Sequence, residues 1–512
     1  MSGHSTYRTA VMTMAILSMT TGSRAAAEEG KAVRPAYCEG SWYPAGASEL
    51  AALVDDLLAK APAPTIDGRP IAIVAPHAGY RFSAPVAAAA YRALRGQSCP
   101  RVIVIAFSHR YAGAYRGVDV PKELTAYRTP LGEIPIDRAV CDALLAKPPF
   151  AAHPGVDRGE HSLELQLPFL QRTLKDFRLV PLYVGQMAPG DYVAAAEAIL
   201  PWLDDQTLLV ASSDFTHFGL NYDYQPFKDD VPKKLRELAD DAAAAIGRCD
   251  VDGFLEHLDK TGDTICGRGP ITLMMRALSM KGGADAVRTA IDTSGNLTGD
   301  WTNSVTYQSF VFTRRAGTLG PREREVLLKL ARQTVAAVLD GQPPPKPNAG
   351  DLPAAVRKDG ACFVTLQNRG ELRGCIGNMI AQGPLYQGVI DNAINAATKD
   401  YRFADNPVTS RELPQIHIEI SYLTPMKRIA SPREIVVGRH GLYIVLGMRR
   451  GVLLPQVAYE RGWSRDEFLA QVCRKAGLPP DAWKQPSAEI YSFEAEVFGE
   501  PEPTATQPAA TR

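Results

Sequence analysis

Ile71-Ala72-Ile73-Val74-Ala75 is an unbroken apolar run, and Pro76-His77 follows it without a spacer. Small and β-branched residues in such a run mark a strand buried on both faces, the kind found in parallel sheets covered by helices. Pro76 ends the strand and leaves His77 just past its C-terminal end, where open α/β sheets place their ligands. The pattern recurs: Arg101–Ala106 runs into Phe107-Ser108-His109, and Thr207–Ser212 runs into Ser213-Asp214-Phe215-Thr216-His217. An alanine-rich helix is predicted near Pro85–Leu94, between the first two strands. Strand, helix and strand with histidines at matching ends predict a βαβ unit whose imidazoles converge on one crevice.

A chain of 512 residues exceeds a single core, so two domains are expected. Gly and Pro cluster near Arg314–Pro321, and apolar residues at 326, 327, 330, 331, 335 and 338 predict an amphipathic helix over 321–340. Gln342-Pro343-Pro344-Pro345-Lys346-Pro347 is an extended connector. The resulting division is 33–315 and 322–500, with a Pro/Thr/Ala-rich tail at 501–512 expected to be disordered. The first domain reads as α/β, a sheet flanked by helices, and the second as α+β.

Lys+Arg and Asp+Glu balance at 56 each, so neither nucleic acid nor an acidic membrane surface is expected as partner. Arg8, the apolar stretch Thr9–Thr20 and the small residues Ala25-Ala26-Ala27 predict a secretory signal peptide over 1–27, hence export to the periplasm or beyond. The eight cysteines (38, 99, 141, 249, 266, 362, 375 and 473) include no CxxC pair, which argues against a disulfide framework. The CxxxCxxC run that holds a catalytic iron–sulfur cluster is absent from the sequence.

His77, His109 and Cys266 form a candidate metal-ligand set. Imidazole and thiolate suit iron(II), copper and zinc, and three protein ligands leave a coordination position open. Singly, each has a plainer reading: a hydrogen-bonded histidine, or a small buried cysteine. Asp214 and His217 read as an orienting carboxylate and an acid/base imidazole, or Asp214 caps the turn that follows it. Glu160 and His161, at the start of a helix predicted over Gly159–Leu170, read as substrate-binding groups or as partners of the helix dipole. Arg268, beside Cys266, reads as an anchor for an anionic substrate, a group that lowers the thiol pKa, or a solvated arginine.

Six blocks stand in order: Ala75-Pro76-His77-Ala78-Gly79-Tyr80, Ser108-His109, Tyr127-Arg128-Thr129-Pro130-Leu131-Gly132, Glu160-His161-Ser162-Leu163-Glu164, Ser212–Gly219 and Cys266-Gly267-Arg268. Together they resemble the Memo family. The resemblance implies a fold like the class III extradiol dioxygenases, which are non-haem iron enzymes. It also implies a site of His77, His109 and Cys266 with Asp214 and His217 beside it. Cysteine stands where those dioxygenases use a carboxylate, and a softer ligand shifts the metal preference.

Beyond residue 322, Glu371-Leu372-Arg373-Gly374-Cys375-Ile376-Gly377-Asn378 and Ala396–Phe403 resemble the AMMECR domain. Arg373 and Cys375, two residues apart on one strand, share a face and are candidates for a second site; an ordinary buried cysteine in a tight turn is the other reading. The fusion is similar to two parts of the AmmeMemoRadiSam system, which implies a separately encoded radical-SAM partner. An exported chain would not meet a cytoplasmic partner, so those two expectations exclude each other. The function expected is a redox enzyme with one mononuclear metal, iron or copper ahead of zinc, acting on a small substrate, aromatic compounds included. The alternative is a metal-binding or phosphopeptide-binding adaptor without turnover.

Overall fold

A computed structural model describes residues 32–314 and 319–500 except 67, 112 and 282, so the expected signal peptide and C-terminal tail lie outside the described residues. In the first domain β1 (Pro70–Ala75) leads through α1 (Tyr80–Arg92) to β2 (Arg101–Ala106). Two short edge strands, β3 (Val118–Asp119) and β4 (Phe150–Ala151), precede β5 (Arg178–Val184), α2 (Pro189–Ile199) and β6 (Thr207–Ser212). The chain continues through β7 (His217–Gly219), α3 (Val251–Thr261), α4 (Arg268–Met280) and the hairpin β8 (Ala284–Thr293) and β9 (Asn303–Arg314).

The strands lie in the order β7-β9-β1-β6-β2-β5-β3-β4, with β8 paired to β9. The four central strands β1, β6, β2 and β5 are parallel, and β9 closes against β1 in the opposite sense. Ala72–Ala75, Val102–Ala106 and Leu208–Ala211 are buried, as the apolar runs require. β1 and β2 follow each other in sequence but are not neighbours. β6 lies between them, so the ends carrying His77 and His109 start roughly 10 Å apart, two strand spacings, and Ser212 and Asp214 fill the gap.

Two local expectations change. The helix predicted over Gly159–Leu170 begins later, as one 3-10 turn (Glu164–Gln166) followed by a helix over Leu167–Thr173, and Glu160 and His161 precede it. The Glu160 carboxylate accepts hydrogen bonds from the amides of His161 (3.0 Å) and Ser162 (2.8 Å), which fixes a turn where the helix was expected. β8 has no clean period-two pattern, because nearly all of it is half-buried, so its sequence does not predict a strand.

The second domain comprises α5 (Pro321–Leu339), β10 (Ala361–Asn368), β11 (Glu371–Gly377), α6 (Leu385–Thr398), β12 (Ile416–Leu423) and β13 (Lys427–Arg428). It then runs through β14 (His440–Leu446), β15 (Arg449–Leu453), α7 (Pro455–Glu460), α8 (Arg465–Lys475) and β16 (Glu489–Gly499). Its sheet is antiparallel, in the order β11-β10-β12-β16-β14-β15 with β13 on β16. Leu327, Ala331 and Val335 of α5 share a core with Val389 and Ala393 of α6, so the proline-rich segment 342–347 lies inside this domain. The domains meet at Arg465 of α8, whose guanidinium is buried against Asp250 and Glu256 of the first domain.

Candidate metal centre

Three imidazoles converge at the C-terminal ends of the central strands. His77, His109 and His161 each offer a ligand atom within 4.8 Å of the others. His161 stacks on His109 with ring centroids 4.2 Å apart, and His77 stands edge-on to both at 5.2 and 5.5 Å. Trp42 covers the other face of His161, also at 4.2 Å. The loop bearing Trp42 is tied down by Glu164, which pairs with Arg34 (2.7 Å) and accepts from the Cys38 amide (2.8 Å) and the Tyr43 hydroxyl (2.7 Å).

Hydrogen bonding fixes which ring nitrogens face inward. Ser212 Oγ donates to the Ser162 carbonyl at 2.5 Å and accepts from Gln166 Nε2 at 2.8 Å. It therefore has only a lone pair for His77 Nδ1 at 2.9 Å, and the ring must donate from Nδ1. His109 Nδ1 lies 2.9 Å from Glu160 Oε1, a carboxylate that can only accept. Both histidines consequently present a bare Nε2, the form that binds metal, each held from behind by an oxygen.

The electrostatics agree. Burial pushes the His77 pKa well below its ordinary value, with His109 and His161 adding to the shift. Burial and His109 lower His161 to about 4. Burial alone raises the Glu160 carboxyl, but the hydrogen bond and charge of His109, together with His161 and the Ser162 amide, outweigh it and hold the group at about 2. Burial thus keeps His77 and His161 as uncharged imidazoles at neutral pH, and the Glu160 carboxylate behind the cluster is ionised. Three imidazole donors this close together fit a single metal ion.

Cys266 stands beside the cluster, its Sγ 3.2 Å from His77 Nε2 and 3.4 Å from the Asp214 carbonyl. Burial and the Asp214 carboxylate push its thiol well above the ordinary range, so a metal must displace the proton to gain a sulfur ligand. Gly267 is required here: a Cβ would come within 2.2 Å of Ser213 Cβ. Asp214 Oδ1 accepts from the His77 amide at 2.7 Å, and burial raises its pKa against the pull of His217. His217 donates from Nδ1 to the Thr264 carbonyl at 3.0 Å, which leaves its Nε2 as the basic nitrogen.

The substrate-binding expectations divide. Glu160 is buried, with both oxygens engaged by His109, His161 and Ser162. His161 belongs to the imidazole cluster. Arg268 is exposed and lines a cavity of about 520 Å³ together with Cys266, Phe107, Arg116, Gln186 and Tyr192. Sequence reasoning missed Ser212, Gln166 and Trp42. The serine pair closing β6 and the tryptophan in Cys38-Glu39-Gly40-Ser41-Trp42-Tyr43-Pro44 were the available signals.

The Memo-like protein family model matches residues 34–311. The chain belongs to the Memo-like family. An AMMECR1 domain follows this Memo-like domain, matched over residues 328–498. A protein of Methanosarcina acetivorans is 43% identical over 188 residues, which are 35% of this chain and 93% of the relative. Protein MK0488 of Methanopyrus kandleri is 43% identical over 194 residues, 35% of this chain and 90% of the relative. Among solved structures, the uncharacterized protein PH0010 from Pyrococcus horikoshii has 38% sequence identity, covers 36% of this chain and 94% of its own, and gives a TM-score of 0.34.

In the AMMECR1 domain, Arg373 is spent on Glu412 (3.0 and 3.2 Å) and lies over the Phe403 ring. The guanidinium at Cys375 is that of Arg402, which donates to the Cys375 carbonyl at 3.1 Å and pairs with Asp400. Asp400 accepts from the Cys375 amide at 2.9 Å, and the Arg402 hydrogen bond chiefly holds its carboxyl down at about 2. Cys375 Sγ accepts from Thr365 Oγ1 at 3.3 Å.

Proposed function

We propose that the Memo-like domain is a mononuclear metal-dependent redox enzyme acting on a small substrate that enters beside Cys266. The observation that carries this reading is the pair of bare Nε2 atoms, His77 and His109, each fixed from behind by an oxygen, with His161 and Cys266 at hand to complete the set. Three nitrogen donors with a thiol at the margin suit iron(II) or copper, and the ion supplies the redox chemistry when bound. The resemblance to the extradiol dioxygenases favours iron, and the cysteine in place of their carboxylate moves the preference toward copper or zinc.

The chain's own groups supply the rest. Glu160 and Ser212 hold the ligand rings in the correct tautomer. His217 Nε2 takes or returns the substrate proton, and Asp214 stabilises the imidazolium that forms. Phe107 and Tyr192 give the entering molecule apolar walls.

Elemental analysis of protein purified without oxygen or added metal tests this. About one iron or copper per chain is expected in the wild type, lost in His77→Ala and His109→Ala and lowered in His161→Ala or Cys266→Ser. The loaded wild type should consume oxygen with a small aromatic substrate, and His217→Ala should keep the metal while losing turnover. A folded wild type with no metal above background overturns the reading in favour of a binding module. Export of the chain and a separately encoded radical-SAM partner belong to the same proposal as exclusive alternatives, separated by fractionating cells for the native protein.

A further inference from the structure

The cavity beside Cys266 has a chemical character of its own. Its floor comes from the β5–α2 connection, Val184 to Ala188, and from the start of α4. Phe107 and Tyr192 are its aromatic lining. Its charged lining is Arg116 and Arg268, both exposed, and among the described residues no acidic side chain lines it. Neither guanidinium has a hydrogen-bond or ion-pair partner among the described residues. Arg34, by contrast, is committed to Glu164 and Asp157. Two unpaired guanidiniums on one concavity create a local positive potential, and planar guanidinium matches carboxylate and phosphate oxygens. The α4 N-terminus, which has no side-chain cap, adds to the same sign.

Volume and position refine the class. About 520 Å³ holds one small molecule, not a polymer. Cys266 and Phe107 are the wall shared with the imidazole cluster: Cys266 Sγ lies 3.2 Å from His77 Nε2, and the Phe107 ring lies 4.2 Å from that of His109. A molecule whose anionic end sits on Arg116 and Arg268 therefore has its other end at the metal ligands.

We infer that the substrate is a small aromatic anion, its carboxylate or phosphate held by Arg116 and Arg268 and its ring against Phe107 and Tyr192. The inference rests on the redox reading for the reaction but not for the binding, and the test is made without metal. The full chain is stripped of metal by chelator and titrated calorimetrically with benzoate, phenylphosphonate and the neutral control benzyl alcohol.

At least one anion is expected to bind tenfold or more tightly than benzyl alcohol. That affinity should fall tenfold or more in Arg116→Ala and in Arg268→Ala, and recover in part in Arg268→Lys. The benzoate and phenylphosphonate arms distinguish a carboxylate from a phosphate. Both arginines are exposed, so the variants should melt with the wild type, which circular dichroism checks. Equal binding of benzyl alcohol, no binding of either anion, or no loss in both alanine variants overturns the inference. Anion binding that persists in a chain taking up no metal leaves this inference standing and removes the redox reading alone.

Discussion

His77 Nδ1 and Ser212 Oγ, 2.9 Å apart, form a hydrogen bond whose polarity is set by a third residue: Ser212 gives its proton to the Ser162 carbonyl and can only accept from the ring. Ser212→Ala removes that acceptor, leaves the Ser162 carbonyl without the serine's proton, and takes from the buried Gln166 amide the shortest of its three hydrogen bonds. The expected outcome is a metal affinity lower by about 10–100-fold, measured by chelator competition. Stability should fall by about 1–3 kcal/mol in urea unfolding. Affinity unchanged within twofold would show that Ser212 does not set the tautomer.

Glu160 plays the same part for His109, and it also accepts three backbone amides, those of His109 (2.7 Å), His161 (3.0 Å) and Ser162 (2.8 Å). Glu160→Gln places an NH2 group among donors and should lower both metal affinity and stability. The pH dependence has a definite sign. The carboxyl titrates at about 2 in the folded chain, down from 4.5, so its contribution is complete above pH 4.5 and is lost as pH falls through about 2. The stability gap between wild type and Glu160→Gln should therefore be constant from about pH 7 to pH 5 and shrink toward about pH 2 in urea midpoints. A gap that stays level across that range would contradict the assignment.

Apolar runs and strand-end histidines made the central sheet legible, because a strand buried on both faces leaves its pattern in consecutive residues. The neighbourhood of His77 and His109 was readable for the same reason. What carried no local signal was strand order. β6 enters the sheet between β1 and β2 from more than a hundred residues away, and with it come Ser212 and Asp214. His161 was seen but given another role, since its place beside His109 depends on a turn closed by a buried carboxylate and not on a helix. Arg116 lies in an irregular loop, where nothing in the sequence says which cavity a side chain will line.

Gly267 tests the seat of Cys266. Its backbone φ is −85°, open to any residue, so the need for glycine is one of space: a Cβ would fall 2.2 Å from Ser213 Cβ and 2.7 Å from the Ser212 carbonyl. Backbone cannot yield to it as a flexible side chain would. Gly267→Ala should displace Cys266 and the start of α4, with a stability loss of about 1–3 kcal/mol for overpacking. If Cys266 ligates the metal, the variant should resemble Cys266→Ser in elemental analysis while His77 and His109 remain intact. Wild-type metal content and a wild-type melting temperature would show that the loop relaxes freely and that Cys266 is not held for coordination.

The domains are joined by charge as well as by chain. Arg465 Nη1 lies 2.7 Å from Glu256 Oε1, its Nη2 3.2 Å from Asp250 Oδ1, and its Nε donates to the Ile435 carbonyl at 2.9 Å. Asp250 is itself buried and caps α3 through the Gly253 amide at 2.9 Å, so removing the arginine leaves its carboxylate, which cannot turn to water, with Arg248 at 3.4 Å as its remaining ion-pair partner. Breaking a buried pair from one side is worth about 3–5 kcal/mol, more than the pair contributes when whole. Arg465→Ala should therefore split the calorimetric transition of the wild type into two, one for each domain. The double variant Arg465→Ala/Asp250→Asn should recover much of the lost stability, because no charge is left buried. Arg465 touches none of the imidazole cluster, so metal content should stay at the wild-type level in both variants. Loss of metal in the single variant, with the first-domain transition intact, would mean that the second domain holds α4, and with it Cys266, in place.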